Sequence, residues 1–166
     1  MRRICVTGPE STGKTTLAQH LAASLGAPWV PEASRLYAER VGRDLTVDDV
    51  EPIAREHAAM ADAAAATGAA TIVLDTDLVS TSIYGRYYYD FTSKWIEAES
   101  RRRAADLYLL CDVDVPWIPD GIRDQPVERE AMLELFRAEL DARNLNLVLI
   151  RGTWNERLER AKIAAQ

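Results

Sequence analysis

Cysteine is scarce in this chain. Cys5 and Cys111 are the two among 166 residues, and both lie in apolar runs. Thiols so placed read as buried core residues, which leaves neither a disulfide framework nor a cysteine metal site. Histidine is equally sparse. His20 and His57 stand alone on helical stretches, with no Cys or His at ligand spacing, so no zinc site is assigned. No apolar run approaches the roughly 20 residues of a membrane span. The apolar stretch after Arg2 and Arg3 covers only Ile4 to Val6, too short for a secretory leader. Basic charge is not in excess either: 20 Lys and Arg face 26 Asp and Glu, a net charge of −6. A general nucleic-acid binder needs a basic field to displace counterions, so that class is disfavoured. The expectation is a cytoplasmic protein that binds neither membrane nor nucleic acid. Composition leaves its oligomeric state open.

The residues present describe one domain over 1–166, since 48% of them are hydrophobic and no internal repeat or low-complexity linker divides the chain. Strand and helix patterns alternate, which predicts an α/β fold with a five-stranded, mostly parallel sheet and helices on both faces. Arg3 to Thr7, Trp29-Val30, Thr71 to Leu74, Leu107 to Cys111 and Leu147 to Ile150 read as the strands. Pro31 places the second at its end or at a sheet edge. Leu17, Leu21 and Leu25 mark one face of a helix over Thr15 to Leu25, ended by Gly26. Ala33 to Val41 reads as helical. Thr46 to Thr67 predicts a helix with Thr46 as N-cap, Pro52 at its start or at a kink, and Gly68 at its end. Helices are also expected near Thr76–Tyr88 and Thr92–Ala104, and on the face of Met132, Leu133, Phe136 and Leu140. Arg101-Arg102-Arg103 reads as a solvated helix face. Residues 112–127 hold three prolines and Gly121, the pattern of a loop or lid.

The strongest chemical signal is Gly8-Pro9-Glu10-Ser11-Thr12-Gly13-Lys14-Thr15, followed by Thr16. The glycines let the backbone curl so that successive N–H groups face phosphate oxygens. Lys14 reaches the β- and γ-phosphates, the Thr15 hydroxyl ligates Mg²⁺, and the helix N-terminus adds partial positive charge. A strand before and a helix after complete the phosphate-loop pattern, so ATP or GTP is the expected ligand. A metal carboxylate is then required at the end of a neighbouring strand, and Asp75 supplies it after Thr71 to Leu74. Asp77, two residues on, either faces substrate or caps a helix.

Glu32 follows the second strand, with Arg35 three residues later. Ligands of doubly wound sheets bind beyond the carboxyl ends of strands. Glu32 there can orient an acceptor hydroxyl or take its proton, with Arg35 beside the substrate, or the two form a surface pair at a helix start. Arg123 and Arg129 fit the role of lid arginines on a transferring phosphate. Trp117 and Asp120 can meet a base or ribose. The aromatic run Tyr84 to Tyr89 suits a ring, with Tyr84 the named contact. Gly152 and Trp154 follow the fifth strand where the purine passes, although Trp154 also suits burial against its own helix.

These residues resemble the nicotinamide riboside kinase domain of the NadR-type NAD-salvage proteins, within the P-loop kinase superfamily. The likeness spans nearly the whole chain. It rests on Gly8 to Thr16, Glu32-Ala33-Ser34-Arg35, Leu74-Asp75-Thr76-Asp77 and Pro116 to Arg123. The first element is generic to phosphate-loop proteins, and the others are more specific. The resemblance implies ATP and Mg²⁺ as cofactors, a small riboside as substrate, and transfer to the 5′-hydroxyl of nicotinamide riboside. The family sets an aromatic residue beside its second-strand glutamate. Here Pro31 holds that spot and Trp29 stands two residues away. Neither histidine begins the H-x-G-H signature of the adenylyltransferase domain that usually precedes such kinases, so that second salvage step is not expected. Two other readings stay open: a kinase for another nucleoside or nucleotide, and a regulatory ATP-binding module with slow ATPase activity. The lack of an N-K-x-D run speaks against a GTPase switch.

Overall fold

The computed structural model describes residues 1–115 and 128–166. Five strands form one sheet among the described residues: β1 (Arg2–Thr7), β2 (Trp29–Val30), β3 (Thr71–Asp75), β4 (Leu107–Cys111) and β5 (Leu147–Ile150). Around them lie α1 (Lys14–Leu25), α2 (Ala33–Val41), α3 (Val50–Ala66), α4 (Leu78–Tyr89), α5 (Lys94–Arg102), α6 (Arg129–Ala142) and α7 (Trp154–Ala164). The strand order is β2-β3-β1-β4-β5, and every pairing is parallel. The expected mostly parallel sheet is therefore parallel throughout, with short β2 at its edge as Pro31 requires.

Alternation along the strands sorts the core into two layers. Ile4, Val6, Val73, Leu107 and Leu109 face Leu17, Leu21 and Ala161 of α1 and α7. Cys5, Ile72, Leu74, Tyr108 and Leu110 face Val79, Ile83, Met132, Phe136 and Leu140 of α4 and α6. The middle strands are buried on both sides, which is why they read as unbroken apolar runs. Both cysteines are free and buried, as their setting predicts.

Three boundaries differ from the sequence expectation, each for a local reason. Thr46 does cap, but the first turn is a 3-10 turn, Val47–Asp49, closed by a Thr46/Asp49 capping box. Pro52 then falls within the first turn of α3, where its missing N–H costs nothing and no kink is needed. Helix α4 begins at Leu78 because Thr76 takes φ +65° and Asp77 is extended. The Arg101–Arg103 run is a solvated face only in part. Arg103 is largely buried and pairs with both Asp62 (2.5 Å) and Glu99 (2.7 Å).

Gly8 ends β1 at φ +132°, and a Cβ built there would lie 2.9 Å from the Cys111 carbonyl oxygen and 3.3 Å from its nitrogen. Main-chain atoms of β4 cannot swing aside. Gly8→Ala should therefore cost roughly 2 kcal/mol or more, a drop of about 4–8 °C in melting temperature. Unchanged melting would show that the loop is not seated against β4 in this way.

Candidate active site

The carboxyl ends of β1, β3 and β4 meet at the loop joining β1 to α1. Gly13, at φ +80°, closes this loop and caps α1. Ser11, Thr12, Gly13, Lys14, Thr15 and Thr16 line a cleft of about 600 Å³, with Glu32, Arg35, Val115 and Trp154 completing its wall. The Thr12 hydroxyl donates to the Pro9 carbonyl at 2.8 Å, and Lys14 Nζ donates to the same oxygen at 2.7 Å. The curl is thus braced from within, and the N-terminus of α1 opens on the cleft, the geometry of an anion site. Glu10, expected at the nucleotide with the rest of the loop, does not line the cleft. Its Oε1 accepts from the Tyr88 hydroxyl at 3.2 Å.

Asp75 ends β3 beside this loop. Its Oδ2 accepts from the Thr15 hydroxyl at 2.6 Å. Its Oδ1 is buried with no hydrogen-bond partner among the described residues. Burial, and then the charge of Glu32, push its carboxyl up to about 6. A buried carboxylate oxygen with an open acceptor site next to a hydroxyl is what a hard cation needs. Thr15 and Asp75 could hold Mg²⁺ as two protein ligands, the rest coming from phosphate and water. The described residues hold no cluster of three or more His, Cys, Asp or Glu, so an all-protein metal cage is not what they build.

Glu32 lies at the start of α2, and its Oε1 accepts from the Ser34 hydroxyl at 2.7 Å. It borders two spaces at once, the loop cleft and an adjoining pocket lined by Leu45, Val50, Ile53, Thr76, Tyr84 and Tyr88 among others. Glu32 and Arg35 therefore both face the cleft. Tyr84 walls the second pocket, stacks on Tyr88 at 5.8 Å between centroids, and donates to the Gly8 carbonyl at 3.2 Å. That pocket encloses only about 40 Å³, so a ring enters when a wall such as half-exposed Tyr88 moves.

The following expectations are corrected. Asp77 does not face substrate: it is buried, its Oδ1 accepts from the Val79 and Ser80 N–H groups, and its Oδ2 from the Tyr108 hydroxyl at 2.6 Å. It is the N-cap of α4. Trp29, two residues from the spot where the family sets its aromatic, packs on the α1 side of the sheet and does not replace that aromatic. Trp154 is not buried on its own helix. It is 50% exposed, and its ring lies against Gly13, where a Cβ would fall 2.1 Å from it. Arg129 does not itself line the cleft and grips its wall from behind. Its guanidinium donates to main-chain carbonyls, including Ser11 O at 3.3 Å. Gly152 likewise turns inward, donating its N–H to Asp114 at 2.6 Å. Trp117, Asp120 and Arg123, with most of the expected lid, lie outside the described residues.

Sequence reading missed Arg157, which is 0% exposed. It donates to Thr12 O, Asp112 O and Gly152 O, each at 3.0 Å, and pairs with the Asp114 carboxylate. One signal was available: Arg157 stands four residues before Ala161 and eight before Ala165, on the apolar stripe of α7. Thr76 was missed as a pocket wall. Its carbonyl receives a hydrogen bond from the buried ring of His57, whose pKa burial lowers to about 4, so the ring stays neutral.

Residues 3–157 match the family described as AAA domain, AAA_28. The chain is 29% identical over 157 residues to the trifunctional NAD biosynthesis/regulator protein NadR of Salmonella typhimurium, a match covering 91% of this chain. It is 28% identical over 156 residues to NadR of Escherichia coli, covering 90%. It spans 38% of the length of each of these relatives. Among solved structures, NadR in complex with NR superposes with a TM-score of 0.77 at 24% identity, over 99% of this chain and 50% of that one. NadR in complex with NAD and AMP-PNP gives 0.74 at 24%, over 99% and 48%. Thymidylate kinase from Ehrlichia chaffeensis gives 0.70 at 16%, over 98% and 97%. The fold is that of the P-loop kinases, as the sequence pattern predicts.

Two measurements follow from the two aspartates. Between the ordinary pKa of 3.8 and about 6, folded Asp75 keeps a proton that the unfolded chain has lost. Stability therefore falls as pH rises through that window, by roughly 2–3 kcal/mol. Asp75→Asn should melt above wild type at pH 8 without divalent metal, and level with it at pH 4. A lower melt at pH 8 would sink the reading of Asp75 as a carboxylate ionised at a cost. Asp77→Ala should lose roughly 2–4 kcal/mol through the cap and the stranded Tyr108 hydroxyl, with the KM of any turned-over substrate within about twofold. A large KM effect in the folded variant would return Asp77 to the substrate.

Proposed function

The chain belongs to the AAA domain family AAA_28, and from that premise we propose that it is an ATP-dependent kinase of ribosides, with nicotinamide riboside the acceptor. The observation that carries the reading is the place of Glu32, on the wall shared by the phosphate-loop cleft and the tyrosine-lined pocket. A γ-phosphate on the loop and a sugar hydroxyl in the pocket would meet beside this carboxylate.

The chemistry then assigns roles to the residues present. The Lys14 ammonium and the loop N–H groups hold the phosphates and stabilise charge on the transferring group. Glu32 orients the 5′-hydroxyl and accepts its proton as the hydroxyl oxygen bonds to the γ-phosphorus. The bond from that phosphorus to the β–γ bridging oxygen breaks, leaving ADP. Mg²⁺, when bound at Thr15 and Asp75, supplies positive charge to the phosphate oxygens. Trp154, open beside Gly13, offers a face to the adenine. Arg123 from the expected lid at about 112–127 completes the proposal as a further positive charge, with Trp117 and Asp120 at the riboside.

The acceptor follows from charge and shape. Nicotinamide riboside carries a cationic pyridinium. Glu32 and the faces of Tyr84, Tyr88 and Tyr89 favour a cation over a neutral base. Cation–π attraction contributes roughly 1–2 kcal/mol in a desolvated pocket, about a tenfold preference. The likeness to NadR over most of this chain supports the same acceptor. The proposal places the reaction in the cytoplasm, on one domain, without nucleic-acid or membrane partners. No helix among the described residues is long and apolar enough to cross a membrane.

Glu32→Gln should lower kcat by about 10²–10⁴ while Mg-ATP still binds, and this is checked by single-turnover assay beside calorimetric binding. Wild type should be assayed in parallel on nicotinamide riboside, uridine, cytidine, adenosine and thymidine. Faster turnover of a neutral nucleoside would remove the acceptor claim and keep the kinase. ATP binding with no acceptor-dependent ADP release would favour a regulatory module.

A further inference from the structure

Two guanidiniums stand behind the phosphate loop, and the expected substrates reach neither. Arg129 opens α6, and its Nη2 donates to Ser11 O at 3.3 Å and to Val115 O at 3.1 Å, with a longer approach to Val113 O at 3.5 Å. Arg157, from α7, donates to Thr12 O through Nη1 at 3.0 Å and to Asp112 O through Nη2 at 3.0 Å. Consecutive carbonyls of the loop are therefore gripped from opposite helices. Each arginine also ties its carbonyl to the stretch 112–115 that leaves β4.

A trans peptide unit is planar, and its C=O and N–H point in opposite directions. Drawing the Ser11 and Thr12 carbonyls toward the guanidiniums turns the N–H groups of Thr12 and Gly13 the other way. Those residues line the cleft. A cation on the carbonyl also polarises the peptide and strengthens its N–H as a donor. Ser11 holds φ +52°, a conformation unfavourable to a side chain, so the loop needs an external hold to keep this shape.

We propose that Arg129 and Arg157 are positioning residues for nucleotide phosphate: they clamp the Ser11 and Thr12 carbonyls so that the next two N–H groups stay aimed at the phosphates, and they set two positive charges behind the loop. The inference rests on the reading of this loop as a triphosphate site. The two charges are near neighbours. Arg129 has its pKa lowered by burial first and by Arg157 second. Among the described residues Asp114 is the carboxylate in contact with either one. Among the described residues, buried Arg157 and partly buried Arg129 face the one Asp114 carboxylate, a net positive charge that a bound polyphosphate would neutralise.

The test is calorimetric titration of the full chain with Mg-ATP, with inorganic tripolyphosphate and with nicotinamide riboside. Wild type, Arg129→Ala, Arg129→Lys and Arg157→Lys are compared. Arg129→Ala should weaken tripolyphosphate and ATP by a similar factor, about tenfold, and leave riboside binding unchanged. The two lysine variants keep a charge on fewer donors and should fall between, about threefold. Should Arg129→Ala fail to fold, Arg129→Lys carries the same comparison. Wild-type affinity for tripolyphosphate in the Arg129 variants overturns the inference. So does an equal loss for riboside and tripolyphosphate, which marks general loosening. If wild type itself binds neither ATP nor tripolyphosphate, the triphosphate reading fails first, and the wild-type arm alone reveals it.

Discussion

Strand β1 has a parallel partner on each side, and its register decides where the chemistry sits. Val6 lies opposite Asp75 on β3, and Thr7 opposite Leu110 on β4. The loop after Thr7 therefore leaves the sheet between a carboxylate and the Cys111 carbonyl, so close to the latter that a Cβ on Gly8 would clash with it. The Thr15 to Asp75 hydrogen bond at 2.6 Å exists only in this register. A slip of one residue would bring Leu74 to that place and turn every β1 side chain to the opposite layer. Ile4 and Val6 would leave the α1 side, and Cys5 the α4 side, so the core itself forbids the slip. Burial on both faces thus positions the site at the carboxyl ends of the strands.

Three consecutive residues after that register point do three different jobs. Asp75 keeps one oxygen for Thr15 and one without a partner, buried at the cost of a raised pKa. Thr76 takes φ +65°, with its N–H on Val6 O at 2.9 Å and its carbonyl on His57. Asp77 is extended and spends both oxygens inward. The left-handed turn at Thr76 makes this division possible. It lets two aspartates separated by one residue serve the Thr15 hydroxyl and a helix cap. The strain is held by hydrogen bonds at both ends, and Thr76 itself becomes a wall of the pocket beside Glu32.

Residues whose place in the fold follows from local pattern were legible in the sequence. The phosphate loop, Asp75 at a strand end, the edge position of β2 and the apolar face of α6 each rest on spacing within a few residues. Glu32 was legible by topology, because strand carboxyl ends are where ligands bind. Asp77 was readable two ways, and only the hydrogen bonds of α4 and Tyr108 decide between them. Trp154 was readable two ways, at the nucleotide or on its own helix, and its place on the cleft wall is decided by packing against Gly13, not by its neighbours in sequence. Arg157 was missed for the same reason at longer range: its partners Thr12 and Asp112 stand 145 and 45 residues away. A charge on an apolar stripe was the visible clue, and the convergence of two other loops on it was not.

The charges around the cleft are sorted by side, although the chain is acidic overall at −6. Lys14 and Arg35 both pull down the Asp75 pKa, while Glu32 pushes it up. The phosphate loop has Lys14 within it and Arg129 and Arg157 behind it. The tyrosine-lined pocket has Glu32 at its mouth and no Lys or Arg among its lining residues. Positive charge therefore gathers at the loop cleft and negative charge where it adjoins the pocket, and Glu32 and Asp75 repel one another. Under the proposed reaction, that arrangement orders the ligands without any large motion of the sheet. Polyphosphate satisfies the loop, a hard cation relieves the Glu32 and Asp75 repulsion, and the hydroxyl of a positively charged riboside is held at the remaining carboxylate. A neutral nucleoside would present the same hydroxyl but no cation to the tyrosine faces, so under this proposal the discrimination sits in the charge of the acceptor ring.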